Sequence, residues 1–170
     1  FASIISRYQD PDGDLGISDE GWEIAAKFLG NAHNIADGED AVGSVIDGTY
    51  PMDEHWASGV LTEQKDRDYK FQIMTPDIGE PYVVESLAIS AGTKKYDTCV
   101  AFLNWLGSSD VQLDWSNNYG TIPCQKEALA QVSDDIKELM ETLKPQDLDW
   151  SFIAENVDAW VEKAELEYVQ

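Results

Sequence analysis

Apolar positions recur at helical spacing in four stretches of the chain. Trp22, Ala25, Ala26 and Leu29 fall at i, i+3, i+4 and i+7, a single stripe that predicts a helix ending at Gly30-Asn31. Ser18 is a good N-cap for it, and Asp19 and Glu20 place negative charge on its first turn. Cys99, Phe102, Leu103 and Leu106 share one face of a helix expected from Lys95 to Leu106. Leu129, Val132, Ile136, Leu139, Met140 and Leu143 mark a long amphipathic helix closed by Lys144-Pro145. Ile153, Val157, Trp160, Val161 and Ala164 mark a last one. Shorter helices are expected at Phe1–Tyr8, Met52–Leu61 and Ser109–Trp115.

Between these lie blocks of a different kind. The apolar run Ala41–Ile46 predicts a buried strand, stopped by Asp47-Gly48-Thr49-Tyr50-Pro51. Tyr69–Met74 and Val83–Ile89 are β-like, and Thr121–Pro123 is extended. Asp10-Pro11-Asp12-Gly13-Asp14 reads as an acidic turn. It is no EF-hand loop, because Gly21 falls where the closing glutamate belongs if Asp10 is first. Strands that interleave with helices argue for an α/β protein with a largely parallel sheet. Helices outnumber strands, which is helix-heavy for a complete doubly wound domain.

Composition narrows the function classes. The chain has 170 residues, 43% apolar, with 6 Trp, 7 Tyr and 5 Phe, enough material for a packed core. Against 33 acidic residues stand 11 basic ones, a net charge of -22. Such a chain repels phosphate backbones and anionic membranes, so nucleic acid is excluded as a partner. Solubility is the plain reading of the charge, and attraction for a cationic ligand the functional one. No run approaches the roughly 18 apolar residues of a membrane span. The opening Phe1-Ala2-Ser3 reads as an internal cut, with an upstream part expected. Cys99 and Cys124 allow one intramolecular pair and have no metal-site spacing.

The sequence carries no G-x-S-x-G elbow, no phosphate-binding G-x-x-x-x-G-K-[ST] loop and no H-E-x-x-H pair. The expectation is therefore a protein that is not an enzyme and uses no cofactor. The carboxylates and tryptophans keep a glycoside hydrolase, or another acidic secreted enzyme, as one alternative. A stand-alone interaction domain is the other. Ligands of open α/β sheets sit beyond the carboxyl ends of strands. The end of the run Ala41–Ile46 supplies a charge or acceptor at Asp47, close backbone approach at Gly48, a hydroxyl at Thr49 and a phenol at Tyr50. An ordinary turn before a helix beginning at Pro51 is an equally good reading of these residues.

Several segments, in order, resemble a known family. Ala36-Asp37-Gly38-Glu39-Asp40-Ala41-Val42-Gly43 is similar to the "v-x-x-G-E-x-x-v-G" segment of type II extracellular solute-binding proteins of ABC transporters. Pro76-Asp77-Ile78-Gly79 resembles that family's "P-x-x-G", and Glu85 to Lys94 its "x-x-x-A-I-x-K-G-A-K" strand and turn. Ala101 to Gln112 looks like "F-I-x-F-L-L-S-x-E-x-Q", and Gly120-Thr121-Ile122-Pro123 matches "G-x-I-P". The ferric-ion, phosphonate and polyamine binders are the nearest groups.

The resemblance implies a periplasmic-binding-protein-like type II α/β fold, mainly the second lobe plus return segments to the first. Residues 1–82 would form the second-lobe region, 83–125 the hinge strand and return segment, and 126–170 the C-terminal helices. It implies capture of a small molecule or ion for a membrane permease. The location would be extracellular or periplasmic, with a lipid anchor compatible in a full-length precursor. Asp47, Thr49 and Tyr50 correspond to the segment where ferric-ion binders place adjacent tyrosines; only one tyrosine stands here, so Tyr50 and Asp47 would be the oxygen ligands if iron were bound. Tyr82 and Glu85 lie on the strand that resembles a hinge crossing and would face the cleft. A secreted location permits a disulfide between Cys99 and Cys124. A lobe lacking its partner would expose apolar surface and dimerise.

Overall fold

The computed structural model describes residues 1–169, which divide into two compact units. The first comprises residues 1–39 and 145 onward, the second residues 40–144. Neither boundary coincides with the divisions at 82 and 125 expected from the family resemblance.

In the first unit, α1 (Ala2–Ile5), β1 (Gln9–Asp14), α2 (Asp19–Gly30) and α9 (Trp150–Glu167) surround one core. The stretch expected to be only a turn is a strand that folds back on itself. Leu15 and Gly16 both take positive φ, 51° and 75°, and Ile17 then pairs antiparallel with Gln9 and Asp14. The Asp10 N–H donates to the Gly16 carbonyl at 2.9 Å and the Ser18 N–H to the Tyr8 carbonyl at 2.9 Å. Helix α2 begins as anticipated, with Ser18 Oγ accepting the Gly21 N–H at 3.3 Å.

Ile5, Ile17, Trp22, Ala25, Ile153 and Trp160 form the buried cluster. Its two indoles grip consecutive carbonyls of the reversal: Trp22 Nε1–H donates to Asp14 at 2.9 Å, and Trp160 Nε1–H to Leu15 at 3.0 Å. Two bulky side chains are thus buried with their polar atoms satisfied. Lys163 closes the same corner, its Nζ 5.0 Å from the Trp22 ring centroid, 2.7 Å from Glu167 and 3.2 Å from Asp14. The hydrogen bonds to Glu167 and Asp14 hold its ammonium pKa above the ordinary value against the opposing effect of burial.

The second unit carries α3 (Ala41–Ile46), α4 (Ala57–Asp66), α5 (Tyr96–Leu106), α6 (Ser109–Tyr119), α7 (Lys126–Leu129) and α8 (Asp134–Thr142). Helix α6 runs one turn further than expected and ends on Gly120 at φ 67°, where an added Cβ would lie 2.6 Å from the Ser58 carbonyl oxygen. That close approach, with the left-handed backbone, requires glycine. The single helix expected from Leu129 to Leu143 is two, because the chain leaves α7 at Ala130 and restarts after Ser133 with Asp134 and Asp135 on the new first turn.

The expected parallel sheet is not found among the described residues. Ala41–Ile46 is helical, and Tyr69–Met74 and Val83–Ile89 are extended without strand partners. A six-residue apolar run has the same composition in a buried strand and a short helix. Here Asp40 decides, accepting the Gly43 N–H at 2.9 Å as an N-cap.

Burial is uneven. Buried apolar side chains of the second unit are Pro123, Ala128, Val132, Ile136 and Leu139, and Pro123 alone of these lies between residues 40 and 127. Over that span Val83, Val84, Leu87, Phe102 and Trp105 are all more than half exposed. Trp160→Ala, at a fully buried site, should therefore cost about 3–5 kcal/mol in chemical denaturation. Trp105→Ala, at a site 56% exposed, should change the stability of this chain by no more than about 0.5 kcal/mol.

Candidate functional site

The turn singled out from sequence closes α3 rather than a strand. Asp47 is the C-cap, its N–H donating to the Gly43 carbonyl at 2.9 Å. Gly48 takes φ 83°, and the Tyr50 N–H reaches back to the Ser44 carbonyl at 2.9 Å. The Thr49 N–H donates to Asp47 Oδ1 at 2.9 Å, an Asx-type turn. Hydrogen bonds from Thr49, its side chain first and its N–H second, hold the Asp47 carboxyl below the ordinary value, against burial and the charge of Asp40. Asp47, Gly48 and Thr49 are exposed and Tyr50 is half-buried, so the turn presents oxygen groups to solvent on a defined backbone.

At the other end of α3 stands a network that sequence reasoning missed. Arg67, the C-cap of α4, sends Nη1 and Nη2 to the two oxygens of Asp40 at 2.8 and 2.9 Å. Its Nε donates to Glu63 at 2.5 Å. The fork holds the Asp40 carboxyl well down, helped by the Gly43 N–H, and the two carboxylates raise the Arg67 pKa beyond its ordinary value. This pins the start of α3 to the end of α4 and thereby orients the Asp47–Tyr50 turn. Glu63 and Arg67 at i, i+4 were a legible pair in sequence. The partnership with Asp40, 27 residues away, was not.

Tyr82 and Glu85 lie elsewhere, on the exposed extended segment 81–88. The Glu80 N–H anchors the start of this segment to the Lys144 carbonyl at 2.7 Å. The Glu80 side chain has one oxygen buried without a partner, and burial raises its pKa. The six site residues named from sequence thus fall into one ordered turn and one separate open segment. Among the described residues no three His, Cys, Asp or Glu side chains gather as a metal-holding group. Cys99 and Cys124 are free, so the pair that a secreted location would permit is not formed in this structure. Cys99, on α5, has its Sγ 4.0 Å from Thr93 Oγ1, and the Cys124 N–H donates to Gln112 Oε1 at 3.3 Å.

Two hollows open among the described residues of the first unit. One, of about 310 Å³, is lined by Ser6, Arg7, Gln9, Asp147, Leu148 and Asp149. The other, of about 450 Å³, lies beside Trp22, Lys163 and Tyr168. Neither is lined by any of the six site residues expected from sequence.

Residues 2–144 match the family model described as bacterial extracellular solute-binding protein. The whole chain aligns with a protein named "Probable ABC transporter periplasmic-binding protein y4fP" from Sinorhizobium fredii (strain NBRC 101917 / NGR234), at 34% identity over 170 residues. That alignment covers 100% of this chain and 47% of the relative, so the chain spans about half the length of the curated relative it matches. No solved structure matches.

A carboxyl whose folded pKa is depressed contributes stability that is present above its unfolded value and lost as pH falls through the folded one. The Asp47 carboxyl carbon should therefore titrate below the ordinary aspartate value by NMR, with the turn loosening only beneath it. Thr49→Val removes the hydroxyl and keeps the N–H, and should move that titration upward; an unmoved curve would show that the Thr49 hydroxyl does not hold the carboxylate.

Proposed function

Because this chain belongs to the family of bacterial extracellular solute-binding proteins, we propose that it serves in the substrate-binding component of an ABC import system. On this reading it captures a small solute outside the cytoplasm or in the periplasm, carries out no chemistry, and hands the solute to a membrane permease. The fold is the family's α/β periplasmic-binding type, in its two-lobed type II form. This chain supplies mainly the second lobe and the segments returning to the first. The name of the Sinorhizobium relative supports the transport assignment.

The observation that carries the two-lobed reading is the missing core. Apart from Pro123, residues 40–127 contain no buried apolar side chain, yet they include Val83, Val84, Leu87, Phe102 and Trp105. Fully burying side chains of this kind is worth about 1.5–3 kcal/mol each, so leaving them all in water forgoes a large part of a domain's stabilisation. The relative is about twice as long as this chain, and the additional polypeptide is the natural cover. The extended segment 83–89 then takes up strand partners that the described residues do not provide.

Solute capture follows from differential contact. A ligand that touches both lobes binds the closed arrangement more tightly than the open one and shifts the population toward it. Asp47, Gly48, Thr49 and Tyr50 offer one wall of oxygens, and Tyr82 and Glu85 join them once the open segment is covered. Metal ions, polyamines and phosphonates are the solute classes for which the family resemblance speaks, and the acidic surface favours the cationic ones.

The test is a thermal-shift series on the protein as its cell makes it, with ferric ion, polyamines, phosphonates and sugars. A ligand at 100 times its Kd should stabilise by about 2.7 kcal/mol, and Tyr50→Ala combined with Asp47→Ala should weaken that ligand at least about tenfold, roughly 1.4 kcal/mol. No stabilisation by any member of the series, together with measurable turnover of one of them, would overturn the assignment.

A further inference from the structure

The charge of this protein is a spread rather than a site. Its net charge is -22 on 170 residues, and pairing every base with an acid would still leave most carboxylates uncompensated. The described residues contain no group of three His, Cys, Asp or Glu suited to a metal ion. The carboxylates are laid out instead along solvent faces. Helix α9 exposes Glu155, Asp158, Glu162 and Glu165 at spacings of three and four residues, one continuous acidic stripe. Helix α8 exposes Asp134, Asp135, Glu138 and Glu141, and its one base, Lys137, is already held by Asp134 at 2.9 Å.

Carboxylates three and four apart on a helix have Cβ atoms about 5–6 Å apart, and like charges at that spacing oppose the helix. At 0.1 M salt the screening length is about 10 Å, so the neighbours repel; at 1 M it is about 3 Å, so they are largely screened. So large a one-signed surface, net -22 over 170 residues, makes the compact state depend on the surrounding ions.

We infer that this protein is built to hold its fold in molar monovalent salt, with a dense atmosphere of hydrated sodium or potassium ions as the partner of its acidic surface. The dependence runs opposite to that of an ordinary surface, whose scattered ion pairs weaken as salt rises. It does not rest on the transport assignment.

The experiment compares thermal unfolding in 0.1 M and 2 M KCl, on the protein as its cell makes it. One variant carries Glu155→Gln, Asp158→Asn, Glu162→Gln and Glu165→Gln together. The wild type should gain about 10 °C or more in Tm between the two conditions. The variant should gain distinctly less, because its Tm in 0.1 M KCl has already risen. A general salting effect acting on apolar surface would raise both proteins equally. Equal gains, or a wild-type Tm that is flat or falling with salt, would overturn the inference.

Discussion

A chain stays folded only if the apolar surface it removes from water offsets the entropy of ordering it. In this protein that condition is met locally. The first unit meets it with Ile5, Ile17, Trp22, Ala25, Ile153 and Trp160 packed into one cluster around the reversal at Leu15-Gly16. Residues 40–127 bury no apolar side chain but Pro123, although their helices have apolar faces and their extended segments are rich in β-branched and aromatic residues. That segment has local structure held by caps and ion pairs, such as Asp40 with Arg67, rather than by a core. Most other properties follow from this asymmetry: the extended stretches without partners, the exposed aromatic side chains, and the open placement of Tyr82 and Glu85.

Helices were the most legible part of the sequence. Ser18 as a cap and the Trp22–Leu29 stripe located α2, and the stripes at Cys99–Leu106 and Ile153–Ala164 located α5 and α9. These signals are local, resting on contacts within one or two turns. The strand readings failed because pairing is not local. Ala41–Ile46 had a strand's composition, but the Asp40 cap and the distant Arg67 fix it as a helix. Tyr69–Met74 and Val83–Ile89 have a strand's pattern and no neighbour within the described chain to pair with. The true strand, Gln9–Asp14, was hidden by Pro and Gly residues that ordinarily punctuate turns.

The candidate site was legible in part for the same reason. Asp47-Gly48-Thr49-Tyr50 was recognisable as an ordered polar turn, and the Thr49-to-Asp47 hydrogen bond bears out a local structure that the residue types encode. The geometry that aims the turn comes from Arg67, through a contact that no spacing rule exposes. Tyr82 and Glu85 were placed by resemblance to a hinge strand, and in the structure they lie on an exposed extended segment away from that turn.

The two indoles that grip the Asp14 and Leu15 carbonyls have a consequence in optical terms. Three tryptophans fall in each unit: Trp22, Trp150 and Trp160 in the first, Trp56, Trp105 and Trp115 in the second. Trp22 and Trp160 are buried and hydrogen-bonded to protein carbonyls, whereas Trp150 and the three of the second unit are exposed to water, so Trp150→Phe leaves the first unit with buried indoles alone. The chain therefore carries two spectrally distinct reporters without any label. Emission from the first follows the integrity of the small core. The second reads whether another surface has come to rest on residues 40–127.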